Sequence, residues 1–125
     1  MRKVVVSALT AFAMAYVVPA GAQGPELSIG PNGRILEGGH AVHVSVTASC
    51  PEGEEVLEAF VYVTQGGNQS RFAGVSVTCN GRRQPRQVRV AAQDFLFQRG
   101  SVRASGYMLL ASGASTSPSR EIQLH

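Results

Sequence analysis

The chain has 125 residues, of which 44% are hydrophobic and 15% are charged, with two cysteines and no tryptophan. A chain of this length is expected to form a single domain, which excludes an enzyme with a cleft between two domains. The net charge of +3 depends on Arg2 and Lys3 near the N-terminus. Beyond them the chain carries nine arginines and eight acidic residues. This near-neutral balance argues against a nucleic-acid partner.

Residues 1–22 have the three parts of a secretory signal peptide. The two basic residues precede an apolar run over residues 4–18, and Ala20-Gly21-Ala22 offers the small residues that a signal peptidase recognises. An uncleaved membrane anchor is the alternative, since the apolar segment nearly reaches the length of a spanning helix. Pro19 would break that helix, and we therefore predict cleavage after Ala22. The mature domain, residues 23–125, is expected to be secreted outside the cell or to the cell envelope, with no membrane association.

From residue 23 onward, apolar and polar residues alternate, which is the pattern of β-strands rather than helices. The alternation is clearest over residues 41–50, where Val42, Val44 and Val46 share one face with the first cysteine. Turn residues separate the predicted strands. Further strands are predicted over residues 57–64, 73–79, 88–92, 102–111 and 122–124.

Seven or eight short strands in about 100 residues are typical of an antiparallel β-sandwich. We predict an all-β chain with an immunoglobulin-like Greek-key arrangement, and a small closed barrel is the alternative. The chain departs from true immunoglobulin domains because it has no core tryptophan and its cysteines are too close in sequence for their inter-sheet bridge.

Cys50 and Cys79 are the only cysteines. In an exported chain they are expected to form one structural disulfide, because a redox or zinc site would need a different spacing or more ligands. The bridge would close a loop of about 30 residues, for which chain entropy predicts about 3.5 kcal/mol of stabilisation.

Several short motifs resemble small secreted actinobacterial proteins of unknown function, which run from a signal peptide into one disulfide-bonded all-β domain. More distantly, the chain is similar to the neocarzinostatin-type chromophore carriers, whose second disulfide it lacks. These resemblances imply a compartment and a fold but no activity and no ligand site. The motifs are Ile29-Gly30-Pro31-Asn32-Gly33-Arg34-Ile35, residues 44–51, Val63-Thr64-Gln65-Gly66-Gly67 and Cys79-Asn80-Gly81.

The residues that carry most enzyme and metal chemistry are sparse in this chain. His40 and His43 are three residues apart, so on a strand they would point to opposite faces and could not chelate one ion. Asp94 is the only aspartate, and no Gly-x-Ser-x-Gly nucleophile motif is present. We therefore predict no catalytic residues, no metal site, no cofactor and no enzymatic activity.

Two charged clusters follow the two cysteines. Glu52, Glu54 and Glu55, here called the acidic turn, follow Cys50, and Arg82 and Arg83, the basic turn, follow Cys79. A disulfide would bring these turns together. The expectation is that they neutralise each other, each exposed pair contributing about 0–1 kcal/mol.

The predicted strands over residues 57–64 and 102–111 are apolar on both faces. If their aliphatic residues point inward, four large side chains point outward, and an immunoglobulin-like order would place the two strands side by side. Such a patch suggests an interaction site. The alternative is that the aromatic residues fill the core or are covered by a loop. The four residues of the predicted patch are Phe60, Tyr62, Tyr107 and Leu109.

These observations favour a secreted, non-enzymatic binding module that recognises a protein or an envelope component. We expect it to be a monomer. The alternative function is a carrier that holds a small apolar ligand between its sheets.

Overall fold

The computed structural model describes residues 24–125, so the predicted signal peptide lies outside the described part of the chain. Strands account for 60% of the described residues. Within residues 24–125 the structure contains no helix long and apolar enough to cross a membrane. The strands are β1 (Glu26–Leu36), β2 (Ala41–Ser49), β3 (Val56–Gln65), β4 (Asn68–Gln69), β5 (Ala73–Gly74), β6 (Gln84–Ala91), β7 (Gly100–Leu110), β8 (Ser115–Thr116) and β9 (Ser119–Leu124).

The prediction of an all-β chain is confirmed, but the sandwich is not clearly formed. The strands belong to one sheet in the order β4-β3-β7-β9-β1-β2-β6, with β5 beside β3 and β8 beside β7. This sheet curls into a half-barrel and does not divide clearly into two sheets. The reason lies in β9, which pairs antiparallel with β7 and parallel with β1. It therefore joins by hydrogen bonds the two halves that a sandwich would keep apart.

The inner face of the curled sheet forms the core, and it follows the predicted alternation closely in β2. Val42, Val44 and Val46 are buried, while the residues between them are half-buried. Leu57 departs from the expected pattern, because it is 56% exposed although its spacing places it with the inward residues of β3. A register shift between Val56 and Glu58 interrupts the pairing with β7. Such a bulge reverses the facing of the residues before it.

Cys50 and Cys79 are joined by the predicted disulfide. Cys79 does not lie on a long strand, because only Ala73 and Gly74 of the predicted strand 73–79 pair as β5. The rest of this connection is held by other means. The buried Gln84 side chain accepts a hydrogen bond from the Thr78 backbone nitrogen at 2.9 Å and donates one to the Thr78 carbonyl at 2.7 Å. One amide side chain thus satisfies backbone groups that a neighbouring strand would otherwise pair.

The acidic and basic turns do come together, since the Gly81 nitrogen donates to the Cys50 carbonyl at 2.9 Å. However, the two ion pairs found in residues 24–125 involve other acids. Arg83 lies 3.7 Å from Glu26, and Arg89 lies 2.6 Å from Glu37. The expected neutralisation therefore does not take the form of direct ion pairs between the two turns.

Candidate binding surface

The outer face of β3 and β7 carries three of the four residues of the predicted patch close together. The two strands are antiparallel neighbours, and Phe60 lies directly opposite Tyr107, while Tyr62 lies opposite Ser105. The strand residues between them, such as Val61, are fully buried on the inner face. Because side chains alternate along a strand, Phe60, Tyr62 and Tyr107 point outward, where each is half-buried.

A fourth aromatic ring, Phe72, extends this cluster from the connection between β4 and β5. Its ring stacks on Phe60 with centroids 4.8 Å apart and an interplanar angle of 16°. It also contacts Tyr62 at 5.1 Å, and Phe60 contacts Tyr107 at 5.6 Å. We call these four residues the aromatic face. Phe72 is its most prominent member, since 60% of its surface remains exposed.

Serine hydroxyls border the aromatic face on the side of β9. Together the rings and serines line a shallow depression of about 520 Å³ that is open to solvent. Ser105 and Ser119 share a hydrogen bond of 3.1 Å, and Arg103 donates to Ser119 at the same distance. Ser117 is exposed. We call Ser105, Ser117 and Ser119 the serine rim.

Gly106 supports this surface from within the sheet. Its backbone nitrogen donates to the Pro118 carbonyl at 2.9 Å, which ties the segment that carries Ser117 and Ser119 to β7. On the inner side, a Cβ atom at this position would lie 2.8 Å from Cδ2 of Leu27 and 3.2 Å from Cγ1 of Val61. Glycine therefore allows β1 to pack closely behind the aromatic face.

Leu109, the fourth residue of the predicted patch, lies further along β7. It pairs with Glu58 and with Ser115 of β8 and is half-buried. Phe72 is absent from the predicted patch because it lies outside the two long apolar strands that define that patch. Its spacing does indicate an outward side chain, because Phe72 lies two residues before Gly74 and four before Ser76, and both of these are exposed.

The other residues considered from sequence lie apart from the aromatic face. No group of three metal-ligating side chains occurs within residues 24–125. His43 is half-buried on β2, with its Nδ1 3.3 Å from Arg34, while His40 is exposed. Hydrogen bonds from Arg89 hold the pKa of Glu37 below its ordinary value of 4.5. This is the behaviour of a surface ion pair and not of a general acid or base.

Comparisons with known protein families, curated proteins and solved structures gave no significant match. The likeness to secreted actinobacterial proteins accordingly stays a prediction from short motifs. The aromatic face is the feature of the described chain whose chemistry points most directly to a function.

Proposed function

We propose that this protein is an exported, non-enzymatic binding module and that the aromatic face is its binding surface. The observation that carries the proposal is the cluster of four contacting aromatic rings on the outer face of the sheet, three half-buried on β3 and β7 and the fourth, Phe72, 60% exposed beside them. Aromatic residues usually contribute to a core, yet here Phe60, Tyr62 and Tyr107 leave the inner face to aliphatic residues. Clusters of this kind on a protein surface mark interaction sites, and tyrosine is enriched at the centre of interfaces.

The energetics of such a surface favour a bound state. Phe72 keeps more than half of its surface in water, at a cost of about 25 cal/mol for each Å² of apolar area. A ligand that covers the ring recovers this free energy. Three of the rings stand on paired strands and the fourth, Phe72, is stacked on Phe60, so little side-chain or backbone freedom is lost on binding.

The interior offers less support for the alternative of an apolar-ligand carrier. Large fully buried side chains, among them Met108, Leu110 and Ile122, fill the inner side of the curled sheet. The proposal therefore places the ligand on the outer face.

Export is part of the proposal and is supported by the disulfide, which persists in oxidising compartments. It can be checked by expressing the full chain in a secreting host. The protein recovered from the medium should begin at Gln23. Retention of residues 1–22 in a membrane fraction would contradict this assignment.

The binding surface is tested by immobilising the exported protein and exposing it to the medium and the envelope fractions of the producing cell. A double variant, Phe72→Ser with Tyr107→Ser, should lose the retained component, whether this is protein, lipid or polysaccharide. Leu96→Ser is the matched control, because Leu96 is 50% exposed but lies in the β6–β7 connection. Equal retention by the wild type and the double variant would overturn the proposal.

A further inference from the structure

We infer that the ligand of the aromatic face is a neutral carbohydrate chain, an inference that rests on the proposed function. The chemistry of the surface defines its partner in three respects. It offers apolar ring surface, it offers hydroxyl groups beside that surface, and it offers no charge within the depression.

The rings provide the apolar half of the recognition. One face of a pyranose ring presents C–H groups, whose hydrogens carry a small positive charge, and aromatic rings carry negative charge on their faces. Phe72 stands at the outer end of the ring cluster, with one side against Phe60 and most of its surface in water. A sugar ring can lie against this surface without any rearrangement of the strands.

The serine rim provides the polar half. A serine hydroxyl has one donor and two acceptor sites, so the contact between Ser105 and Ser119 leaves hydrogen-bonding capacity on both groups. Ser117 adds a further exposed hydroxyl. A purely apolar ligand such as a lipid chain would remove water from the exposed Ser117 hydroxyl and from the remaining sites of the other two serines without replacing those hydrogen bonds, which is unfavourable. A ligand that carries its own hydroxyls beside an apolar face avoids this cost.

The charge and the shape of the depression further restrict the class of ligand that it can bind. All nine residues that line the depression have neutral side chains, and this favours a neutral polymer over an anionic lipid or polysaccharide. The guanidinium of Arg103, which does not line the depression, donates to Ser119 at its edge. The depression is shallow and open to solvent, so a polymer chain can lie across it and continue past either end.

The exported protein offers a direct optical readout. The sequence has three tyrosines and no tryptophan, and Tyr16 lies in the predicted signal peptide. Tyr62 and Tyr107 are then the only strong fluorophores, and both belong to the aromatic face. Titration with soluble glucose polymers and N-acetylglucosamine polymers should change tyrosine fluorescence saturably, while heparin and lipid vesicles should not.

Three variants separate the contributions. Phe72→Ala should weaken polysaccharide binding about tenfold or more, the loss expected for a central aromatic contact. Ser117→Ala should weaken it by a smaller factor, and Leu96→Ser should leave it unchanged. Phe72 and Ser117 are exposed, so all three variants should remain folded; Phe72→Ala alone should lower the melting temperature slightly, because it removes the stacking on Phe60.

The outcomes distinguish the inference from the proposed function. If the aromatic face captures a protein or a lipid but no neutral polysaccharide, the inference is overturned and the binding module stands. Concentration-dependent dimerisation that Phe72→Ala abolishes would likewise replace the carbohydrate with a second copy of the chain. If Phe72→Ala changes neither polysaccharide binding nor any other retention, both ideas fail.

Discussion

Removing the disulfide should have a large and partly local effect on stability. The perturbation is the double variant Cys50→Ala with Cys79→Ala, which avoids the side reactions of free thiols. The cysteines are separated by 29 positions. In the chain-entropy account, opening a loop of this size lowers the free energy of unfolding by about 3.5 kcal/mol. Since a small domain has a net stability of about 5–15 kcal/mol, the bridge contributes a substantial part.

This change in the free energy of unfolding can be measured as a change in melting temperature. For a domain of this size, each kcal/mol corresponds to about 4–8 °C, so the double variant should melt about 14–28 °C below the wild type. Circular dichroism during a thermal scan measures the difference. Adding a reductant to both proteins provides the control. It should lower the melting temperature of the wild type and leave that of the double variant unchanged.

The local part of the effect should appear in the connection between β5 and β6. Residues 75–83 are held to the sheet by few backbone hydrogen bonds, among them the contact from Gly81 to Cys50. Without the bridge, hydrogen exchange should accelerate first in this connection. A melting temperature within a few degrees of the wild type, with unchanged exchange there, would refute the reasoning. It would assign the restraint to the Gln84 side chain instead.

Two further predictions concern single residues. Gly39→Ala should lower the free energy of unfolding by about 1–3 kcal/mol, because Gly39 has a φ of 101° and a Cβ there would lie 2.7 Å from the Phe97 carbonyl. Gly74→Ala is the control, because a Cβ atom there would meet no atom within 4 Å, and it should change the free energy of unfolding little. Denaturant unfolding measures both variants, and equal destabilisation by the two would contradict the strain argument. Glu37→Gln should remove a pH-dependent stabilisation, because Arg89 lowers the pKa of Glu37 in the folded state. That contribution is present above pH 4.5 and is lost as the pH falls through the lowered pKa of Glu37. The melting temperatures of the wild type and Glu37→Gln should therefore converge in acid. A difference that persists in acid would contradict this assignment.

The local features of the fold could be predicted from sequence, because they depend on alternation and turn chemistry. β2 shows this well, since its buried valines were identified by spacing alone. The facing of Leu57 could not be predicted, because the bulge at the start of β3 depends on its pairing with β7. The choice between a sandwich and a barrel-like sheet could not be made from sequence either, since β9 meets β1 and β7 through contacts between distant parts of the chain. Spacing along one strand carries no information on such pairings.

The candidate site also has features that the sequence predicts and features that depend on the tertiary structure. The alternation of residues along β3 and β7 predicts that Phe60, Tyr62 and Tyr107 point outward, provided that aliphatic residues fill the core. That they form one cluster with Phe72 depends on the tertiary course of the connection after β4. The spacing of Phe72 indicates that it is exposed, but only its contacts with Phe60 and Tyr62 identify it as part of the aromatic face.

The connection between β4 and β6 joins the aromatic face to the disulfide, yet its two ends are fixed by different interactions. At the first end, the Ser70 hydroxyl accepts a hydrogen bond from the Val63 nitrogen at 2.8 Å, and the Ser70 nitrogen donates to the Val63 carbonyl at 2.9 Å. These bonds, together with the pairing of β5 with β3, position Phe72 on the aromatic face. At the second end, Cys79 is bonded covalently to Cys50, the residue directly after β2. Because buried hydrogen bonds to β3 hold Phe72, the geometry of the aromatic face depends on its own strand pair, while the bridge confines the less regular half of the connection.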